Sequence, residues 1–166
     1  SMIAAQCLGA IPVPMYQDAV AAEMVYVFRD ASIRIAVVED QEQTDKVLEI
    51  REQCPQLSDI IYDDDRGLRN YQQSGIESID ALLEAGALYE QAHPGKVRQA
   101  IDEGGFHDDC AMFYTSGTTG NPKGVVHTHA SLILPSRTVS QQEGLGPQDE
   151  VLAYLPMAWI GQNIFS

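Results

Sequence analysis

The chain has 166 residues, of which 45% are hydrophobic, and a formal net charge of −14. This length is enough for one hydrophobic core, and the hydrophobic content excludes a disordered tail. The acidic balance argues against binding to nucleic acid or to an anionic membrane surface. No apolar run approaches the ~18 residues of a membrane-spanning helix.

Strand and helix patterns alternate over the first part of the chain. Three segments are predicted strands: residues 11–13, 34–38 and 59–62. Asp18 is predicted to cap a helix whose apolar stripe runs from Val20 to Ala31. Asp40 and Gln43 form a capping-box pattern that opens a second helix. Strands joined by such helices predict parallel crossovers, so we expect an α/β fold with a doubly wound, mostly parallel sheet and helices on both faces.

The pattern loosens after the third strand. Helices are predicted from Ser78 to Glu90 and around Val97 to Ile101, and residues 150–154 are a predicted last strand. Thr128 is predicted to cap a further helix, which Pro135 should kink or shorten.

The cysteines and histidines give no metal-binding pattern. Cys7, Cys54 and Cys110 are far apart and lack C-x-x-C spacing. Reduced thiols are the default for such residues, which predicts a cytoplasmic protein. His127 and His129 would point the same way on a strand, but no further ligand stands nearby in the sequence, so we predict no metal site.

The segment from Tyr114 to Gly124 reads YTSGTTGNPKG, a residue choice that folding alone does not explain. Its glycines let backbone N–H groups converge on an anion, its hydroxyls add neutral donors, and Lys123 adds a positive charge suited to phosphate. Ordinary polar hairpin loops use similar residues. The spacing differs from the G-x-x-x-x-G-K-[ST] loop of kinases and GTPases. The candidate phosphate-binding residues are Thr115, Ser116, Gly117, Thr118, Thr119, Gly120 and Lys123.

This segment resembles the signature of the adenylate-forming superfamily, which includes acyl-CoA synthetases, peptide-synthetase adenylation domains and luciferases. The pattern S-G-[ST]-T-G-x-P-K-G is met at every position of residues 116–124. Residues 8–16, LGAIPVPMY, are similar to the family's upstream G-A-x-x-V-P motif, and residues 154–159, YLPMAW, to its downstream L-P-x-x-H/W motif. Residues 38–43 and 64–69 look most like long-chain fatty-acid ligases.

The resemblance implies an enzyme that uses ATP, Mg²⁺ and coenzyme A to convert a fatty acid into its acyl-CoA through an acyl-adenylate. It assigns residues 116–120 to the β- and γ-phosphates of ATP. It makes Lys123 the catalytic residue, which neutralises charge and tethers the loop. Trp159 stands where many members have a histidine beside the acyl pocket, and it is otherwise a core residue.

Later motifs of the family have no match here, namely the Y-G-x-T-E segment, the T-G-D aspartate, the hinge and the C-terminal-domain lysine. We therefore expect residues 1–166 to be a partial N-terminal AMP-binding (adenylation) domain, truncated at both ends, inactive alone and prone to self-association through exposed apolar surfaces. Two alternatives stay open. The chain is a stand-alone nucleotide- or phosphate-binding or interaction module, or it is a fragment of another adenylating enzyme, such as a peptide-synthetase adenylation domain.

Overall fold

A computed structural model describes residues 1–115, 120–150, 152 and 155–161. The chain divides into two compact units, Gln17–Lys96 and Ser1–Tyr16 with Val97–Ser166. The helices are α1 (Met2–Cys7), α2 (Ala21–Asp30), α3 (Gln41–Ile50), α4 (Ile79–Ala92), α5 (Lys96–Glu103) and α6 (His129–Glu143). The strands are β1 (Ile35–Val38), β2 (Asp59–Tyr62), β3 (Ile76–Ser78), β4 (Asp109–Thr115) and β5 (Lys123–Thr128).

A parallel sheet in the order β1-β2-β3 forms the base of the Gln17–Lys96 unit. Ala36 lies opposite Ile60, which in turn lies opposite Ile76. Ile60 is completely buried, and apolar side chains of α2 and α3 complete the core. Helix α3 connects β1 to β2, as a parallel pair requires. The predicted α/β class and parallel sheet are confirmed.

The two predicted helix caps of this unit have different outcomes. The Asp40 carboxylate accepts a hydrogen bond from the backbone N–H of Gln43 at 3.1 Å, so the predicted cap of α3 is confirmed. The Gln43 amide donates to the carbonyl of Gln17 instead of reaching back to Asp40, so only half of the capping box forms. The predicted cap at Asp18 is wrong, because Asp18 lies in the preceding turn and Val20 occupies the N-cap position of α2.

Strand β3 has no counterpart among the predicted strands. It is short and carries the charged Glu77 at its centre, so it shows no apolar pattern. The Arg51 guanidinium ties the segment before β3 to the one before β2, since it donates to the carbonyls of Ser74 at 2.7 Å and Ser58 at 2.8 Å. Gly75 follows with a φ of +73°, and its carbonyl accepts from the N–H of Ile60 in β2.

The second unit contains the antiparallel hairpin β4–β5. The loop 116–122 is too short for a parallel crossover, which takes about a dozen residues or more, so the two strands must run in opposite directions. A small buried core joins the hairpin to α6 and consists of Cys110, Ala111 and Phe113 with the partly buried Leu132.

Helix α6 follows the hairpin directly. The Thr128 hydroxyl accepts from the N–H of Ser131 at 3.2 Å, so the predicted cap is confirmed. The helix continues through Pro135 to Gly144, which has a φ of +67°, so the proline does not shorten it. The two predicted helices between residues 78 and 101 are confirmed as α4 and α5.

Residues 11–13 do not form the predicted strand. The carbonyl of Pro12 accepts one hydrogen bond from the N–H of Met112 in β4, at 3.0 Å, but Pro12 and Pro14 lack the N–H groups that a ladder needs. Most of the predicted last strand, residues 150–154, lies outside the described residues. Within the described part of the chain, no helix has the length and apolar character needed to cross a membrane.

Candidate phosphate-binding hairpin

The last residue pair of the hairpin joins the two ends of the candidate loop. Thr115, at the end of β4, lies opposite Lys123, at the start of β5. Directly opposed residues of an antiparallel pair project from the same face of the sheet. The Thr115 hydroxyl makes a long contact of 3.5 Å to the Lys123 carbonyl. The fold therefore places the side chains of Thr115 and Lys123 on the same face at the base of the loop.

Only part of the candidate loop lies within the described residues. Ser116, Gly117, Thr118 and Thr119 fall outside them. Gly120 has a φ of +149°, and a Cβ atom placed on it would meet nothing within 4 Å. A glycine is therefore required at position 120 by the backbone conformation and not by packing. The assignment of these residues to phosphate binding stays a prediction.

Lys123 is an isolated cation in an acidic chain. Its side chain is exposed, and among the described residues no carboxylate forms an ion pair with it. In the sequence, no other lysine or arginine stands between Arg98 and Arg137, and residues 110–124 contain no aspartate or glutamate. Lys123 is thus the one lysine or arginine of the hairpin, and no carboxylate of the described residues pairs with it.

Sequence reasoning assigned no role to Met112 and Tyr114, and it gave Gly124 no role in packing. Gly124 lies opposite Tyr114, and the side chains of Tyr114 and Met112 occupy the space where a Cβ atom of residue 124 would stand. The sequence signal for this packing was a pair of bulky residues at alternate positions of β4, together with a glycine directly after Lys123.

Trp159 is not a core residue. Its side chain is 52% exposed, whereas the neighbouring Ala158 is buried. The backbone N–H of Trp159 donates to the carbonyl of Pro156 at 2.9 Å within a turn. Its assignment to the wall of an acyl pocket stays a prediction.

The two histidines of the hairpin region do not share a strand face. His127 belongs to β5, where its Nδ1 lies 3.2 Å from Ser131 Oγ and its ring meets that of Phe113 edge-on at 5.6 Å. His129 is already the first residue of α6. In the part of the chain that the structure describes, no three His, Cys, Asp or Glu residues are grouped closely enough to hold a metal ion.

Curated relatives of this chain are fatty-acid ligases. The chain is 28% identical over 162 residues to the long-chain-fatty-acid–CoA ligase ACSBG1 of Rattus norvegicus, a match that covers 95% of the chain and 22% of that protein. It is 32% identical over 163 residues to the long-chain-fatty-acid–CoA ligase ACSBG2 of Gallus gallus, a match that covers 94% of the chain and 20% of that protein. The chain thus spans about a fifth of the length of these relatives.

Solved structures of similar fold are larger enzymes. An anthranilate CoA ligase in complex with anthranoyl-AMP superposes with a TM-score of 0.55 at 25% identity, over 78% of the chain and 22% of that protein. An acetoacetyl-CoA synthetase from Streptomyces lividans superposes with a TM-score of 0.69 at 18% identity, over 98% of the chain and 25% of that protein. The family model described as "AMP-binding enzyme" matches residues 1–165. The chain therefore belongs to the AMP-binding enzyme family.

Proposed function

We propose that this chain is part of an ATP-dependent long-chain fatty-acid–CoA ligase and that its β4–β5 hairpin holds the β- and γ-phosphates of ATP. The observation that carries the proposal is the exposed Lys123, paired with Thr115 at the base of a glycine- and hydroxyl-rich loop. The long-chain preference is supported by the curated relatives, which are ligases of that class at 26–32% identity.

The proposed reaction sets a problem of charge. A carboxylate oxygen of the fatty acid attacks the α-phosphorus of ATP, the bond from that phosphorus to the bridging oxygen breaks, and pyrophosphate leaves. The thiol of coenzyme A then displaces AMP from the acyl-adenylate. Both partners of the first step are anions, so the site must fix the polyphosphate and offset its developing charge. Lys123 offsets charge, and the hydroxyl and N–H groups of residues 115–120 orient the phosphates.

Magnesium and coenzyme A belong to the same proposal. Magnesium supplies charge neutralisation to phosphates in related transfers. Residues 110–124 carry no carboxylate, so the loop and the strand segments next to it provide no acidic ligand for the ion. The family's acidic ligand lies in a motif without a match in this chain. We also propose Trp159 as an acyl-pocket residue and a cytoplasmic location for the enzyme.

The test is acid-dependent exchange of pyrophosphate into ATP by the complete protein that contains this chain, with fatty acids of several lengths and the common amino acids as substrates. We expect exchange with long-chain fatty acids, and none from residues 1–166 alone. Exchange with amino acids only would replace the proposal by a peptide-synthetase type of activity. ATP binding without exchange for any acid would favour a nucleotide-binding module.

A further inference from the structure

The space above Gly124 is filled by two side chains of the opposite strand. A Cβ atom placed on Gly124 would lie 2.9 Å from Met112 Sδ, 3.1 Å from Tyr114 Cζ and 3.2 Å from Tyr114 Oη. Gly124 does not have the positive φ that marks Gly120, four residues earlier in the chain. The glycine at position 124 is therefore required by what packs on it, since its backbone conformation suits any residue.

The register of the hairpin explains this close approach. The N–H of Met112 donates to the Pro12 carbonyl, so it points away from β5. In an antiparallel ladder, such a residue belongs to a non-hydrogen-bonded pair, in which the Cα atoms approach to about 4.5 Å. Tyr114 lies two residues further along the strand, so its pair with Gly124 is of the same type. Its ring and the Met112 thioether can therefore close over the glycine.

We propose that Met112 and Tyr114 are positioning residues that fix where β5 begins and, with it, where Lys123 lies. Their side chains hold the backbone of Gly124 from one face of the hairpin, while Thr115 and Lys123 project from the other face. A methyl group at position 124 must displace these side chains or the backbone next to Lys123. Met112 is flexible, so the hairpin still forms, but with Lys123 shifted. This inference rests on the proposed function, because the position of Lys123 matters only if it meets the phosphates of ATP.

The experiment is a rescue series in the complete protein, with adenylation measured as a function of ATP and of fatty acid. Gly124→Ala should lower kcat/KM for ATP by about 10- to 100-fold, because small misplacements of a positioned group have effects of that size. The KM for the fatty acid should not change. Adding Met112→Ala to Gly124→Ala removes the nearest contact, that of Met112 Sδ at 2.9 Å, and should recover part of the loss, since Tyr114 stays in place. The control is Gly86→Ala, whose added methyl group meets nothing within 4 Å and should leave the kinetics unchanged.

Three results would overturn the inference: full activity of Gly124→Ala, a loss that Met112→Ala does not relieve, or a loss confined to the fatty-acid KM. If the unmodified protein forms no acyl-adenylate, the proposed function fails, and the packing is tested on the 166-residue chain by NMR. A nuclear Overhauser contact between the Tyr114 ring and the Gly124 α-protons would then support the packing of Tyr114 on Gly124, without a role in positioning Lys123 for ATP. Its absence would refute the packing as well.

Discussion

Thr115 and Lys123 face each other as the last residue pair of the β4–β5 hairpin, with their side chains on the same face. Phe113, two residues before Thr115, is buried in the small core that joins the hairpin to α6. This packing fixes the register, because a shift of β4 by one residue would turn Phe113 outwards and move Thr115 to the face opposite Lys123. The chemistry proposed for the loop therefore depends on a hydrophobic anchor two residues before the loop end of β4.

Asp40 and Asp18 make a matched pair for a test of helix capping. Asp40→Ala removes the carboxylate that accepts from the Gln43 N–H, and it should lower the free energy of unfolding of the 166-residue chain by about 1 kcal/mol. Asp18→Ala should change it by less than about 0.5 kcal/mol, since Asp18 does not cap α2. Urea denaturation measures the free energy of unfolding of both variants. Equal effects of the two substitutions would contradict the boundaries of these helices.

Substitutions at Gly75 and Gly95 distinguish the effect of backbone conformation on stability from that of close packing. Both have positive φ, but a Cβ atom on Gly75 would collide with the carbonyl oxygen of Ser58, whereas one on Gly95 would meet nothing within 4 Å. Gly95→Ala should therefore destabilise the chain by about 1 kcal/mol, the cost of the left-handed conformation alone. Gly75→Ala should cost clearly more, about 2 kcal/mol or above. Thermal unfolding that ranks the two variants in the opposite order would contradict the contact between the segments before β2 and β3.

The three thiols should react at different rates. Cys54 and Cys110 are buried, and burial raises the pKa of both thiols. Because only the thiolate reacts, a raised pKa lowers the reactive fraction at pH 8, and both residues should react slowly with an aromatic disulfide reagent. Cys7 is only partly buried and should react first. Peptide mapping after brief labelling identifies the site, and urea should make all three thiols react alike. Rapid labelling of Cys54 or Cys110 in the folded chain would contradict their burial.

Exposed apolar side chains on α4 predict self-association of the 166-residue chain. The helix contains no buried residue, and Leu83 and Leu88 are each about two-thirds exposed. Large apolar side chains left exposed in this way favour association. Sedimentation velocity over a concentration series should show species larger than a monomer, and Leu83→Lys with Leu88→Lys should reduce them.

The matched control for that series is Gln91→Lys, which adds positive charge at an exposed polar position of the same helix. It should leave the association largely unchanged. A monomer at tens of micromolar concentration for the unmodified chain would show that these surfaces are compatible with a stand-alone module.

The sequence predicted those parts of the fold whose signals are local. Strand β1 is a continuous apolar run, β2 has two isoleucines at its centre, and the caps at Asp40 and Thr128 depend on side chains a few residues from their targets. Strand β3 has no such signal, because it is held by pairing with β2 and by the Arg51 bonds across the chain. Residues 11–13 have strand-like apolar character, but Pro12, and Pro14 directly after them, lack ladder donors.

For the candidate site, the motif identified Lys123 and the loop, because residue types in a fixed order carry that information. The packing of Met112 and Tyr114 on Gly124 could not be predicted, since it depends on the register of two strands. The solvent exposure of Trp159 could not be predicted either, because a single aromatic residue in an apolar segment is equally typical of a core.

The most direct test of the account is the rate of acyl-adenylate formation by the Lys123→Ala variant of the complete protein. Loss of a positioned charge from a reacting polyphosphate should lower kcat/KM for ATP on the order of 10²-fold or more. The control is His129→Ala, since His129 lies at the far end of β5 in the first turn of α6 and should have a much milder effect. A drop of that size for Lys123→Ala, with His129→Ala near the unmodified rate, is the predicted result. Adenylation by Lys123→Ala at close to the unmodified rate would contradict the assignment of the hairpin to the phosphates of ATP.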